Sequence, residues 1–275
     1  MKKYLTVFAS FVIMLSLGGI YAWSIFASEL IEKHHFSATQ AQLIFGLVIA
    51  VFPITMIFAN KLAKKIKATI LGYFSGLLFL FGYLLAALSN GNFLVITVGI
   101  SLLAGIGTGL GYWVSLTIPV QWFPQRKGLI TGIAAAGFGL GAFALSLVSE
   151  FILSKGATIF EMFAFVGLAY GLLIVFMSNF IHQPIINTKL EQEEQNKFLS
   201  SPPFLMLFIG IFLGTFSGLL IIGNLKLIGE HNIISNHSLI LGISLFAVAN
   251  FLGRLIWGLL SDFFSATLTI FFALM

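Results

Sequence analysis

Arg254 is the side chain that the sequence isolates most clearly as a candidate for chemistry. It lies in the apolar run 239–261, eight residues before Asp262, or roughly 12 Å along a helix from that acid. A charge at that depth in a bilayer is costly and normally turns toward a cavity or a partner. Helical spacing gives the run a small or polar stripe of Ala247, Asn250, Arg254, Gly258 and Ser261. Leu245, Val248, Leu252, Leu255 and Leu259 occupy the other side, so the guanidinium is expected to face inward. The chain carries no acidic residue at comparable depth. A planar, forked donor without a counter-ion suits a carboxylate-bearing solute. Pairing with Asp262 or with loop carbonyls is the structural alternative.

Other residue types narrow the chemistry further. Tyr21, Trp23, Tyr112 and Trp113 lie within apolar runs that also carry glycine, and are not read as belt residues. Tyr21 and Trp23 are about 200° apart around a helix, so they cannot both line one cavity. Trp122 and Tyr4 fall near run ends, where an interfacial aromatic belt is expected. The five histidines (His34, His35, His182, His231, His237) fall in loops or at run ends, and there is no cysteine. Neither a metal site nor a nucleophile–base pair can be assembled, so no cofactor and no enzyme activity are expected. Gly105-Ile-Gly-Thr-Gly-Leu-Gly111 has the look of a phosphate loop, but no strand precedes it and it sits inside an apolar run. The pairs Gly105/Gly109, Gly107/Gly111, Gly128/Gly132 and Gly137/Gly141 are spaced for close helix packing in a membrane.

The elements that must position these residues are membrane spans. Hydrophobic residues make up 59% of the chain, charged residues 8%, and the mean hydropathy is +1.06. That much apolar surface needs lipid as its solvent. The net charge of +5 does not signal nucleic-acid binding, because the basic residues lie in short loops rather than on one polar face. About 20 apolar residues cross a bilayer as a helix. Eight runs qualify: 4–26, 39–60, 68–89, 93–118, 129–153, 159–181, 204–224 and 239–261. A ninth begins near Ala266 but has only ten residues, about 15 Å of helix, and is expected to be partial. The first run follows Lys2 and Lys3 yet is too long for a secretory signal, so it reads as a retained span.

The positive-inside rule fixes the expected orientation. A cytoplasmic N-terminus puts Lys2, Lys3, Lys61, Lys64, Lys65, Lys67, Arg126, Lys127, Lys189 and Lys197 inside, and only Lys33, Lys155 and Lys226 outside. The polar stretch from Asn187 to Lys197, closed by Ser200-Ser-Pro-Pro203, follows the sixth run. The expected organisation is an N-terminal six-helix bundle at 1–182, a cytoplasmic linker at 183–203, and a partial C-terminal bundle at 204–275. Six spans, a polar linker and further spans is the layout of a carrier built from two halves.

Three motifs carry a family resemblance over the whole chain. The loop and fifth run read Gln121-Trp-Phe-Pro-Gln-Arg-Lys-Gly128 and Leu129-Ile-Thr-Gly-Ile-Ala-Ala-Ala-Gly-Phe-Gly-Leu-Gly-Ala142. The first run has Gly19-Ile-Tyr-Ala-Trp-Ser24, and the eighth has Asn250-Phe-Leu-Gly-Arg-Leu-Ile-Trp-Gly-Leu-Leu-Ser-Asp262. These resemble the oxalate:formate antiporter family of the major facilitator superfamily. The resemblance implies an all-α bundle of two six-helix halves, a midplane site between them, and alternating access. It implies that Arg254, with Asn250 four residues before it, grips a substrate carboxylate. Tyr21 and Tyr112, with Trp23 nearby, would wall the cavity. Trp122, Arg126, Lys127 and Asp262 would belong to gating motifs.

Departures from the family pattern are specific. The lysine that the family carries in its eleventh helix has no counterpart in these residues. Asn60 stands where the loop after the second span usually has aspartate, and Ala63 where it has glycine. Phe263-Phe-Ser265 follows Asp262 in place of a basic residue and glycine, and Leu255 replaces a frequent proline. The expected function is secondary transport of a small mono- or dicarboxylate of the oxalate/formate or lactate/pyruvate type, in a bacterial inner membrane. A carrier for a neutral or cationic solute is one alternative. The other is a truncated, non-transporting remnant, or a chain completed by a separately encoded C-terminal portion. Expected partners are the carboxylate and membrane lipid, and not nucleic acid.

Overall fold

The computed structural model describes residues 1–184, 201–232, 236–264 and 266–274. Among them, eight helices are long and apolar enough to cross a membrane. The first is Lys2–His34, followed by Ala38–Leu62, Ala68–Ala87, Phe93–Gln121, Lys127–Ser154 and Ile159–Ser178. The seventh lies in the helix Pro202–His231 and the eighth in Asn236–Phe263, with a short helix Ala266–Leu274 after it. The chain is thus an all-α, multi-pass membrane protein. Most of the expected linker, and with it Lys189 and Lys197, falls outside the described residues.

Local chemistry explains where these helices begin. Ser37 and Gln40 form a reciprocal capping box at the second span, as do Thr158 and Glu161 at the sixth. Asn92 accepts from the amides of Leu94 and Val95 to open the fourth. The first helix overruns its expected end at residue 26 by eight residues. Trp23, Phe26, Ala27 and Leu30 bury one face of its last turns, while Glu29, Glu32 and Lys33 keep the other polar. It stops at His35, which adopts the left-handed conformation with φ 59°. Two helices are irregular. The first tightens to a 3-10 turn over Gly19–Ala22, and the fourth widens to a π-helix over Thr97–Ala104.

Helix packing follows the small residues. Without a strong hydrophobic drive in lipid, close backbone approach and interhelical hydrogen bonds hold spans together. Gly107 packs on the Ser75 and Phe79 backbone of the third span, and Ser75 donates to the Gly107 carbonyl at 2.7 Å. Ser101 in the fourth span donates to Ile44 in the second at 2.9 Å. The third and sixth spans meet through Gly76, Gly167 and Gly171. The fifth span is two-faced. Gly137 and Gly141 press on Phe11, Leu15 and Gly18 of the first span, whereas Gly128, Gly132 and Gly139 press on the eighth.

One end of the bundle gathers the N-terminus, the loop after the second span, the Trp122–Arg126 turn and the segment after the sixth span. Thr6 donates to the Phe180 carbonyl, Thr69 to the Ile181 carbonyl and Trp122 Nε1 to the His182 carbonyl. Lys2, Lys3, Lys61, Lys64, Lys65, Lys67, Arg126 and Lys127 all belong to this basic end. The seventh span packs on the end of the first and faces the second across a cavity of about 290 Å³ lined by Phe45, Ile49, Phe216 and Leu220.

Candidate functional site

The small and polar stripe of the eighth helix meets the glycines of the fifth. Leu245, Val248, Leu252 and Leu259 are exposed on the other side. Arg254 is half-buried and turned into this contact. Its Nε donates to Asn250 Oδ1 at 2.7 Å, one turn back on the same helix, and Nη1 donates to the Ala135 carbonyl of the fifth span at 3.3 Å. Asn250 thus holds the guanidinium fork at its root. Gly139 is what admits Asn250, since a Cβ there would lie 2.8 Å from Oδ1 and 3.2 Å from the Phe251 amide nitrogen.

Behind the guanidinium stands a chain of aromatic rings from four spans. Its Cζ lies 5.8 Å from the ring centroid of Phe138, a distance at which cation and ring quadrupole attract. Phe138 is fully buried and meets Tyr21 edge-on at 5.0 Å and Tyr112 edge-on at 5.1 Å. Phe52 continues the chain from Tyr112 at 5.6 Å. The Tyr21 hydroxyl faces Arg254. Tyr21 sits in the 3-10 turn of the first span, where the tighter helix sets the direction of its ring. The only ion pair among the described residues is Lys33 with Glu29, far from Arg254. Arg254 therefore has partners for orientation but no described counter-charge.

A groove of about 420 Å³ runs from Arg254 between the fifth and eighth spans toward the basic end, lined by Ala135, Thr131, Gly132, Gly258, Ser261 and Lys127. At its far end the Asp262 carboxylate closes on the start of the fifth helix. Oδ1 accepts from the Gly128 amide and Oδ2 from the Leu129 amide, each at 2.7 Å. The physical reason lies in the local sequence. The fifth helix begins at Lys127 behind Arg126, which supplies no capping side chain, so its first amides need an acceptor. An acid from the eighth helix provides one, and the helix dipole favours its charge.

The expected residues separate into groups. Arg254, Asn250, Tyr21 and Tyr112 are brought together. Trp23 is not with them: it is fully buried, its indole donates to the Ala41 carbonyl at 3.0 Å, and its ring packs on Phe26. The structure places it in the packing between the first two spans. Asp262 does not pair with Arg254, nor with Arg126 or Lys127, both of which are exposed at the basic end. Trp122 anchors the exit of the sixth span through His182. Phe138 and Phe52 join the same ring cluster, and reading by type did not single them out. The motif around Gly137-Phe-Gly139 held the signal, because a large ring between glycines marks a place that two neighbours approach closely.

The chain matches the Major Facilitator Superfamily over residues 6–275, and it belongs to that family. It is 29% identical over 268 residues to an uncharacterized MFS-type transporter of Escherichia coli, YhjX, covering 94% of this chain and 66% of that protein. It is 26% identical over 260 residues to the oxalate:formate antiporter of Oxalobacter formigenes, covering 91% of this chain and 61% of the relative. A human protein, monocarboxylate transporter 14, is 27% identical over 150 residues, 53% of this chain and 28% of its own. The chain spans 61% and 66% of the length of the two bacterial relatives.

Proposed function

We propose, from its membership of the Major Facilitator Superfamily, that this chain takes part in secondary active transport of a small mono- or dicarboxylate by alternating access. The observation that carries the reading is Arg254: oriented by Asn250 and Ala135, backed by Phe138, and without a described counter-ion. The names of two relatives, one an oxalate:formate antiporter and one a monocarboxylate transporter, support the same solute class. The proposed setting is a bacterial inner membrane with the basic end in the cytoplasm. Residues 1–182 form one unit, 183–203 the linker and 204–275 part of a second.

The geometry supplies a route for each step. Guanidinium donors not engaged by Asn250 and Ala135 would take a carboxylate in a forked pair beside the Tyr21 hydroxyl. Phe138, Tyr21 and Tyr112 would exclude water around it and set the size of the solute, and the Tyr21 hydroxyl adds a polar contact. The contact of the fifth and eighth spans closes the basic end. Release of Asp262 from the Gly128 and Leu129 amides would free that end to open.

The test is uptake of radiolabelled oxalate, formate and lactate by proteoliposomes containing the full chain. Arg254→Lys keeps the charge but offers no fork, and should lower uptake about 10- to 100-fold. Full transport by that variant would sink the carboxylate-anchor reading. Uptake of a solute that carboxylates do not compete with would favour a neutral or cationic substrate. No uptake of any solute by the unsubstituted chain would favour the non-transporting alternative.

A further inference from the structure

A second cavity, of about 740 Å³, opens at the basic end, outside the Arg254 site. Its walls come from four places in the chain: Lys2 of the first span, Lys67 and Thr69 at the start of the third, Trp122 at the end of the fourth, and His182 and Gln183 after the sixth. None of its described lining residues is acidic. The back wall is built rather than incidental. Thr69 donates to the Ile181 carbonyl at 2.8 Å, Trp122 Nε1 to the His182 carbonyl at 2.7 Å, and the His182 amide to Thr6 Oγ1 at 3.1 Å. His182 Nδ1 lies 2.8 Å from the Phe180 carbonyl, and because a carbonyl only accepts, Nδ1 must carry the proton there. The Nδ1 contact fixes the ring on the cavity wall.

We infer that this cavity binds the phosphate-bearing headgroup of an anionic phospholipid. Two lysines with no acid among the described lining residues make a site for a phosphate. The volume exceeds what a lone phosphate needs and falls in the usual range of organic-ligand pockets. Its position selects a lipid as the source. Exposed Tyr4 packs on Phe123 beside it, and Lys3 Nζ lies 5.0 Å and 5.4 Å from the two ring centroids. An interfacial aromatic pair next to a basic cavity marks the level of lipid headgroups. The headgroup would bridge Lys2 on the first span and Lys67 on the third, and the acyl chains would run along the apolar faces below.

The experiment is a titration of the purified full chain with phosphatidylglycerol, followed by native mass spectrometry that counts bound lipids. Lys2→Gln/Lys67→Gln should weaken the first bound lipid about 30-fold at low ionic strength. Lys2→Arg/Lys67→Arg should retain it. Lys64→Gln/Lys65→Gln removes two lysines of the same end that do not line the cavity, and should leave affinity unchanged. An unaltered affinity in the Lys2/Lys67 glutamine variant, with its helical circular dichroism intact, would overturn the inference. So would an equal loss in the Lys64/Lys65 variant, which would show a diffuse charge effect. Equal affinity for phosphatidylcholine, or full displacement of the lipid by millimolar inorganic phosphate, would overturn the anionic-lipid assignment.

Discussion

Gly132→Ala should open the basic end of the molecule. A Cβ at Gly132 would lie 2.8 Å from the Arg254 carbonyl oxygen and 3.2 Å from the Gly258 Cα. Both are backbone atoms, so no side chain can swing away. Restoring an ordinary 3.4 Å contact requires the two helices to part by about 0.6 Å along that line, the difference between 3.4 Å and 2.8 Å. Overpacking of this kind costs about 1–3 kcal/mol. The cost falls only on the state in which the fifth and eighth spans touch. If the chain alternates between that state and one open at the basic end, their ratio should shift about 5- to 150-fold. The chain has no cysteine, so spin labels at Gln125→Cys and Phe263→Cys would be the only ones present. Both positions are exposed at that end, and double electron–electron resonance would report their separation. Gly253→Ala on the same eighth helix is the control, because a Cβ there meets nothing within 4 Å. The expected result is a longer-distance population in Gly132→Ala and not in Gly253→Ala. An unchanged distribution in both would refute the claim that this contact is the closed gate.

Asp262→Ala leaves the Gly128 and Leu129 amides without their acceptor and should lengthen the same spin-label distance. Asp262 is exposed, so the effect is set at about 1–2 kcal/mol, below that of a buried charged bond. Asp262→Asn, which keeps one acceptor oxygen, should fall between. Trp23→Phe removes the buried bond to the Ala41 carbonyl and should lower thermal stability by about 1–3 kcal/mol in detergent, while leaving the apparent affinity for solute unchanged. A raised KM for uptake in that variant would return Trp23 to the cavity wall.

How much of this was legible in the sequence depends on the kind of interaction. Spans, their number and the inward face of Arg254 follow from local periodicity, which a helix obeys without its neighbours. The stripe from Asn250 to Ser261 lies on the fifth span because lipid gives the opposite leucines a place to go. The extension of the first helix to His34 was missed because Glu29, Glu32 and Lys33 end the apolar run but not the amphipathic one. The place of Trp23 was not legible, because its partner is a backbone carbonyl of the second span and no residue type announces that. Asp262 is assigned by sequence to a gating motif, with pairing to Arg254 as the structural alternative. It meets backbone amides instead, since an uncapped helix start is a stronger local demand than an exposed lysine.

The two faces of the fifth span use the same small residues for different ends. Toward the first span, Gly137 and Gly141 sit on Phe11, Leu15 and Gly18, and the contact is backed by fully buried Met14, Leu17 and Phe138. Parting that face would strip large side chains of their neighbours. Toward the eighth span Gly128 and Gly132 meet Gly258 and Gly139 meets Asn250 and Phe251, and the contact is closed by the bonds of one exposed carboxylate and by Arg254. Under the proposed reading this is the face that opens, and among the described residues no fully buried large side chain of the eighth span has to leave it. Under the proposed reading Arg254 serves both the site and this gate, because its carbonyl approaches Gly132 while its guanidinium bonds Ala135. Of its two bonds, that to Ala135 is the longer, 3.3 Å against 2.7 Å to Asn250, and is the one that crosses between spans. A carboxylate that draws the guanidinium away from Ala135 would remove a bond from the closed gate, while Asn250 kept the fork in place. Under the proposed reading, solute binding and opening thus compete for the same donor, which gives this interface a direct physical means of coupling occupancy to access.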